Sequence, residues 1–145
     1  MLLSFVTVIE RLATLYQVKK WDQSFFVACE WIKENTPKNA TIATIWGHNA
    51  AWCSDRNLGG MFADVLLSYD LNYTLKVLKE NNVDYLWIQK SSIDPLNRGY
   101  ADNYPLKFIS MLVNNPHFEK VYENGDKIEN CSSACYGQTI YKIIY

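Results

Sequence analysis

The chain reads as an α/β fold, a two-layer or three-layer sandwich around a small, mostly parallel sheet of about four strands with an antiparallel C-terminal edge strand. Three observations predict it. Short runs rich in β-branched and aromatic residues at Thr41–Trp46, Asp84–Gln89, Phe118–Glu123 and Gln138–Ile144 carry strand chemistry. Helical apolar spacing ahead of the first strand and between the first three is closed each time by proline or asparagine. Strands that alternate with helices are joined by crossovers and run parallel, whereas the last strand has no helix before it and returns antiparallel.

In chain order, Leu2 to Ile9 is apolar except for Ser4 and Thr7, and is followed by Glu10 and Arg11. A bilayer span needs roughly 20 apolar residues, so this run is too short. It also lacks the basic head and small-residue cleavage site of a secretory leader. Two readings of residues 1–20 stay open. One is an amphipathic helix with Phe5, Ile9, Leu12 and Tyr16 on one face; the other is the trailing end of a transmembrane helix, against which Lys19 and Lys20 count mildly.

Residues 21–145 form a single α/β domain. Asp22 is positioned as an N-cap, and Trp21, Phe25, Cys29 and Ile32 recur at helical spacing through residue 34. Pro37 stops that helix and pushes Thr36 into an extended conformation. After the first strand comes a Gly- and Asn-containing connection, His48 to Gly60, with a short helix around Met61 to Leu67. Asp70 caps a helix lined by Leu71, Leu75 and Leu78 and ended by Asn81-Asn82. A polar loop from Lys90 to Asn103 follows the second strand. Pro105 then opens a third helix, which Asn114-Asn115-Pro116 stops, and Asn124-Gly125-Asp126 supplies a turn after the third strand.

With 145 residues, 49% of them hydrophobic, the chain has enough apolar surface for one core. A net charge of -1 without a basic run argues against a phosphate-tracking nucleic-acid surface, so nucleic acid is not an expected partner. The dinucleotide fingerprint, the P-loop and the nucleophile elbow are all missing: Gly47 stands alone after the first strand, and Gly59-Gly60 lies too far on.

The four cysteines admit several readings. Cys131 and Cys135 frame Ser132-Ser133-Ala134 and, in an oxidising compartment, close a small loop that pins the last hairpin. Alternatively His48, Cys53, Cys131 and Cys135 offer one imidazole and three thiolates to zinc, with H-x4-C and C-x3-C spacings. A third reading leaves Cys29 and Cys53 as buried free thiols in the core. His48 follows the first strand at its carboxyl end, where open α/β sheets place ligands, so Trp46, His48, Asp55 and Arg56 are the candidate binding residues. The competing reading is a hydrogen-bonded loop histidine beside a surface Asp–Arg pair. His117, just before a strand, reads as structural. Three glycosylation sequons, at Asn39, Asn72 and Asn130, exceed chance only slightly and fit an extracytoplasmic location.

An ordered set of phrases adds to this. Trp31-Ile32-x-Glu34-Asn35-Thr36-Pro37 leads into Ala40-Thr41-Ile42, Trp46 stands at the strand end, and Asp55-Arg56 follow. Val83 to Ile88, Phe118 to Gly125 and Ile140 to Ile144 complete the series. In this order the chain resembles the C-terminal soluble domain of archaeal multi-span membrane glycosyltransferases of the GT-C class, the oligosaccharyltransferases and their protein-mannosyltransferase-like relatives, over residues 21–145. The resemblance implies an extracytoplasmic domain without catalytic residues or cofactor of its own, since the family's catalytic acids and metal lie in loops between membrane helices. It implies as partners the membrane-embedded part of the same or another protein, and a glycan or acceptor peptide. The chain departs from the family where a Trp-Trp-Asp-Tyr-Gly motif grips the acceptor sequon: Ile45-Trp46-Gly47-His48-Asn49 keeps one tryptophan and loses the acid and the tyrosine. Two other classes remain as alternatives, a free-standing soluble protein-interaction domain and a zinc-stabilised cytosolic domain.

Overall fold

The computed structural model describes residues 23–59, 65, 68–96 and 103–145. The readings for residues 1–20 and for Asp22 lie outside them, as does most of the helix expected over Met61–Leu67, where Val65 is helical and fully buried.

Residues 23–35 form helix α1, which buries Ser24, Ala28, Cys29 and Ile32 along one face. The Thr36 hydroxyl and N–H both donate to the Ile32 carbonyl, at 2.7 and 3.1 Å, so the chain turns before Pro37. Strand β1 (Thr41–Ala43) is shorter than the expected Thr41–Trp46, because the backbone turns at Ile45–Trp46 and enters helix α2 (Gly47–Ser54). The sequence pointed to an irregular connection here. Ala50 and Ala51 favour helix, and a disulfide between Cys29 and Cys53 draws α2 onto α1, with Cα atoms 5.7 Å apart. These two cysteines are therefore not the free thiols of the third reading above. Their pairing across 24 residues is a consequence of tertiary placement that spacing does not encode.

Strand β2 (Asn57–Leu58) follows and runs parallel to β1. Helix α3 (Leu71–Glu80) starts as expected, with the Asp70 carboxylate accepting from the Tyr73 N–H at 3.1 Å, and it buries Leu78 while Leu71 and Leu75 pack partly buried. It ends at Asn81, and Asn82 takes a left-handed φ of 53° that reverses the chain into strand β3 (Tyr85–Gln89), every residue of which is buried. The stretch expected as a polar loop is more ordered. It holds strands β4 (Ile93–Asp94) and β5 (Tyr104–Pro105), paired parallel, and Lys90, Ser92 and Asp94 are buried. Helix α4 (Leu106–Leu112) follows Pro105 directly, then strands β6 (Phe118–Gly125) and β7 (Gly137–Ile143).

The main sheet has the order β2-β1-β3-β7-β6. β2, β1 and β3 are mutually parallel, and β7 is antiparallel to both β3 and β6, as the missing helix implied. It does not lie at the edge, however, but between β3 and β6. Burial accords with this: Gly137–Tyr141 are all buried, with Ile140 facing one side and Tyr141 the other, whereas β6 exposes Glu119 and Lys120 and suits an edge. The period of two in β3 shares its side chains between two cores. Tyr85 and Trp87 join α1 and α2 with Ile42 and Ile140; Leu86 and Ile88 join α3 and α4 with Ala43, Tyr141 and Ile143. Phe25 of α1 stacks on Trp87 at 4.9 Å. The result is three layers, helices on both faces of the sheet. Among the described residues no helix is long and apolar enough to cross a membrane.

Two long buried cations fix the ends of elements. Arg56, 9% exposed, donates to the carbonyls of Ile32, Lys33 and Thr36 and to the Thr36 hydroxyl, closing the C-terminus of α1, and also to the carbonyls of Ser54 and Asp55. Lys90, fully buried, donates to the Asn124 carbonyl at 2.8 Å and to the Asp126 carbonyl, with Glu123 at 3.4 Å. Burial lowers its pKa, and the Glu123 carboxylate works against that lowering. The same connection carries a second disulfide, Cys131–Cys135.

The Cys29–Cys53 bridge spans the longer loop, and the loop-entropy account gives it about 3 to 4 kcal/mol against about 2 for the Cys131–Cys135 bridge. The expected outcome is that C29S/C53S lowers the midpoint of denaturant unfolding by more than C131S/C135S does. Equal losses would show that α2 is held by packing alone.

Candidate functional site

Crossover connections leave an open sheet at the carboxyl ends of its parallel strands, and there the connections after β1 and β3 diverge around a gap. In this chain the gap is an open cleft of about 610 Å³. Ile45, Trp46, Gly47, His48 and Asn49, the turn into α2, form one wall; Ser92 and Asn103, from the connection after β3, form the other. Trp46 is 45% exposed and His48 is exposed.

The walls are tied together from beneath. The Tyr104 side chain is fully buried, and its hydroxyl donates to the Trp87 carbonyl at 2.8 Å while accepting from the Ile45 N–H at 3.1 Å. The Thr44 hydroxyl lies 3.3 Å from it and bonds the Gln89 side-chain oxygen at 3.0 Å. Burial pushes the Tyr104 phenol above its ordinary value, against the lowering effect of its bonds with Thr44 and Ile45, so it stays a neutral donor. One hydroxyl thus joins the end of β1, the middle of β3 and the strand that returns after Asn103. The Gln89 side-chain nitrogen, buried beside it, is a donor without a partner among the described residues.

Of the four candidate binding residues, Trp46 and His48 line the cleft and the other two do not. Asp55 sits at the far end of α2 with a left-handed φ of 53°, and Arg56 is the cap of α1 described above. Because Asn57 pairs with Thr41, the first residue of β1, both lie at the amino end of the strands. The eight-residue helix α2 carries the chain away from the cleft, and a reading of this stretch as a loop could not show that separation. Ser92 and Asn103 are cleft residues that sequence reasoning missed; the only signal was their position after a strand. His117 bonds the Ile144 carbonyl through Nδ1 at 2.7 Å, which holds the end of β7.

The zinc set does not assemble. Cys53 is bound to Cys29 and Cys131 to Cys135, so no thiolate is left to join His48. Among the described residues no group of three or more His, Cys, Asp or Glu is placed to hold a metal ion.

No protein-family model matches this chain, and no curated protein does. Among solved structures it is similar to the C-terminal globular domain of the oligosaccharyltransferase from Archaeoglobus fulgidus. The likeness has a TM-score of 0.52 at 14% sequence identity, and covers 81% of this chain and 94% of that one. At that identity the likeness is one of fold.

Removing the Tyr104 hydroxyl strands the Ile45 N–H and the Trp87 carbonyl. Y104F is therefore expected to cost about 1 to 3 kcal/mol of stability and to speed amide exchange at Ile45 beyond the global change. Unchanged exchange at Ile45 would mean that the cleft walls are set without this bond.

Proposed function

We propose that this chain is a non-catalytic, extracytoplasmic domain of, or derived from, a membrane glycosyltransferase-like protein, and that its cleft receives the acceptor or the lipid-linked sugar. The observation that carries the reading is the placement of Trp46 and His48 in a cleft at the carboxyl end of the parallel strands, within a fold similar to the oligosaccharyltransferase C-terminal globular domain.

Three further features support it. The two disulfides suit an oxidising compartment. The sequon residues Asn39, Asn72 and Asn130 are exposed. The cleft offers a half-exposed indole and the amides of Asn49 and Asn103, chemistry suited to holding a peptide or a sugar in place. In this reading the partner is a membrane-embedded part, in the same polypeptide or another, that supplies catalysis, and the domain itself needs no cofactor. A second reading, a free-standing interaction domain, draws on Trp52, whose side chain on α2 is 82% exposed and well suited to a protein interface.

The two readings differ in where the native polypeptide is found. Under the first, an immunoblot of membranes washed with alkaline carbonate shows a membrane-retained band several times larger than this 145-residue chain. A soluble band at the size of the chain itself would overturn it in favour of the interaction domain.

A further inference from the structure

The fold treats the three sequons differently. Transfer of a glycan to asparagine needs two groups within reach, the side-chain amide and the hydroxyl two residues on. Exposure of the asparagine alone therefore does not decide which sequon can be used.

At Asn72 the hydroxyl is out of reach. Asn72, Tyr73 and Thr74 lie in α3, and Thr74 is fully buried. At Asn39 the sequon is tied into the sheet. Ala40 is buried, the Thr41 N–H donates to the Asp84 carboxylate at 2.8 Å, and the Thr41 carbonyl accepts from the Asp84 N–H at 2.9 Å. The Asn39 carbonyl accepts from the Asn57 side-chain amide at 3.1 Å. Drawing this sequon into another protein's site would pull the start of β1 off the sheet.

Asn130 is placed otherwise. Asn130 and Ser132 are both exposed, on either side of the buried Cys131. The backbone N–H groups of Asn130 and Cys131 donate to the carbonyls of Lys127 and Ile128, at 3.0 and 3.1 Å, within the connection between β6 and β7. The Cys131–Cys135 bridge joins two residues of that same connection, so it leaves the sequon outside the sheet. The surroundings are polar. Glu119, Lys120, Lys127 and Glu129 are exposed, and among the described residues from 118 to 143 no large apolar side chain is. Charged residues are depleted at the centre of protein interfaces, so this face suits open solvent.

We propose that Asn130 is a site of N-linked glycosylation, and that Asn39 and Asn72 stay bare. The co-substrate is a sugar carried on a lipid phosphate or diphosphate. The Asn130 amide nitrogen bonds to the anomeric carbon of that sugar and gives up one proton to solvent. The bond from the anomeric carbon to the phosphate oxygen breaks, and its electron pair leaves with the phosphate. The proposal rests on the extracytoplasmic reading above, because sequons of this kind are modified in exported chains.

The test is peptide mapping by mass spectrometry of the native polypeptide, captured from its own cells by antibody. After reduction, trypsin places the three sequons on separate peptides, 39–56, 57–76 and 128–142. The expected result is that 128–142 alone carries the added mass of a glycan. A bare 128–142 peptide, or a glycan on either of the others, overturns the proposal. In the same cells S132T, which keeps the hydroxyl, is expected to retain the glycan and S132A to lose it; a glycan kept by S132A contradicts the assignment. Digestion without reduction reports the Cys29–Cys53 bridge in the same sample. A bare Asn130 in a bridged, membrane-retained polypeptide sinks the glycan alone, whereas a bare Asn130 with free thiols in a soluble polypeptide takes the extracytoplasmic reading down with it.

Discussion

The hydroxyl of Tyr104 is the point on which the arrangement of this domain turns. A strand that ends inside a protein leaves backbone groups without ladder partners, and burying them unpaired is costly. Here the Ile45 N–H, beyond the last residue of β1, is such a group, and the tyrosine meets it while giving its own proton to Trp87 in β3. The backbone can therefore turn sharply at Trp46 and run down α2, which holds Trp46 and His48 at the mouth of the cleft. Arg56 and Lys90 solve the same problem elsewhere, at the C-terminus of α1 and at the exit of β6. In each case a long side chain reaches from another part of the chain to close the end of an element.

That arrangement explains which parts of the structure could be read from sequence. The helix before Pro37, the Asp70 cap, the strand Tyr85–Gln89 and the antiparallel sense of the last strand all follow from local rules, and each rule has its signal within a few residues. The position of β7 inside the sheet was not legible in the same way: Gly137, Gln138 and Thr139 are not apolar, and it takes the pairing to decide between edge and interior. The Cys29–Cys53 bridge and the helix it secures had no comparable local signal.

The site divides in the same way. The place of Trp46 and His48 at the cleft was legible because the gap of an open sheet lies at the carboxyl ends of its parallel strands. Asp55 and Arg56 are close to them in sequence and far from them in the fold, since a helix intervenes. Arg56 shows how a conspicuous charged residue can be occupied with backbone carbonyls and one neighbouring hydroxyl. Ser92 and Asn103 depend on how the connection after β3 folds back, where the bonds of Tyr104 to Trp87 and Ile45 are tertiary.

The most direct test of the account is to map where ligands shift the backbone amide signals of the full chain. The titrants are an Asn-Xaa-Thr peptide and a short-chain polyprenyl diphosphate sugar. The expected result is that one of them moves the amides of Trp46, His48, Ser92 and Asn103 while those of Asp55 and Arg56 stay in place. Shifts centred on Asp55 and Arg56, or none with either ligand, would contradict the assignment of the cleft.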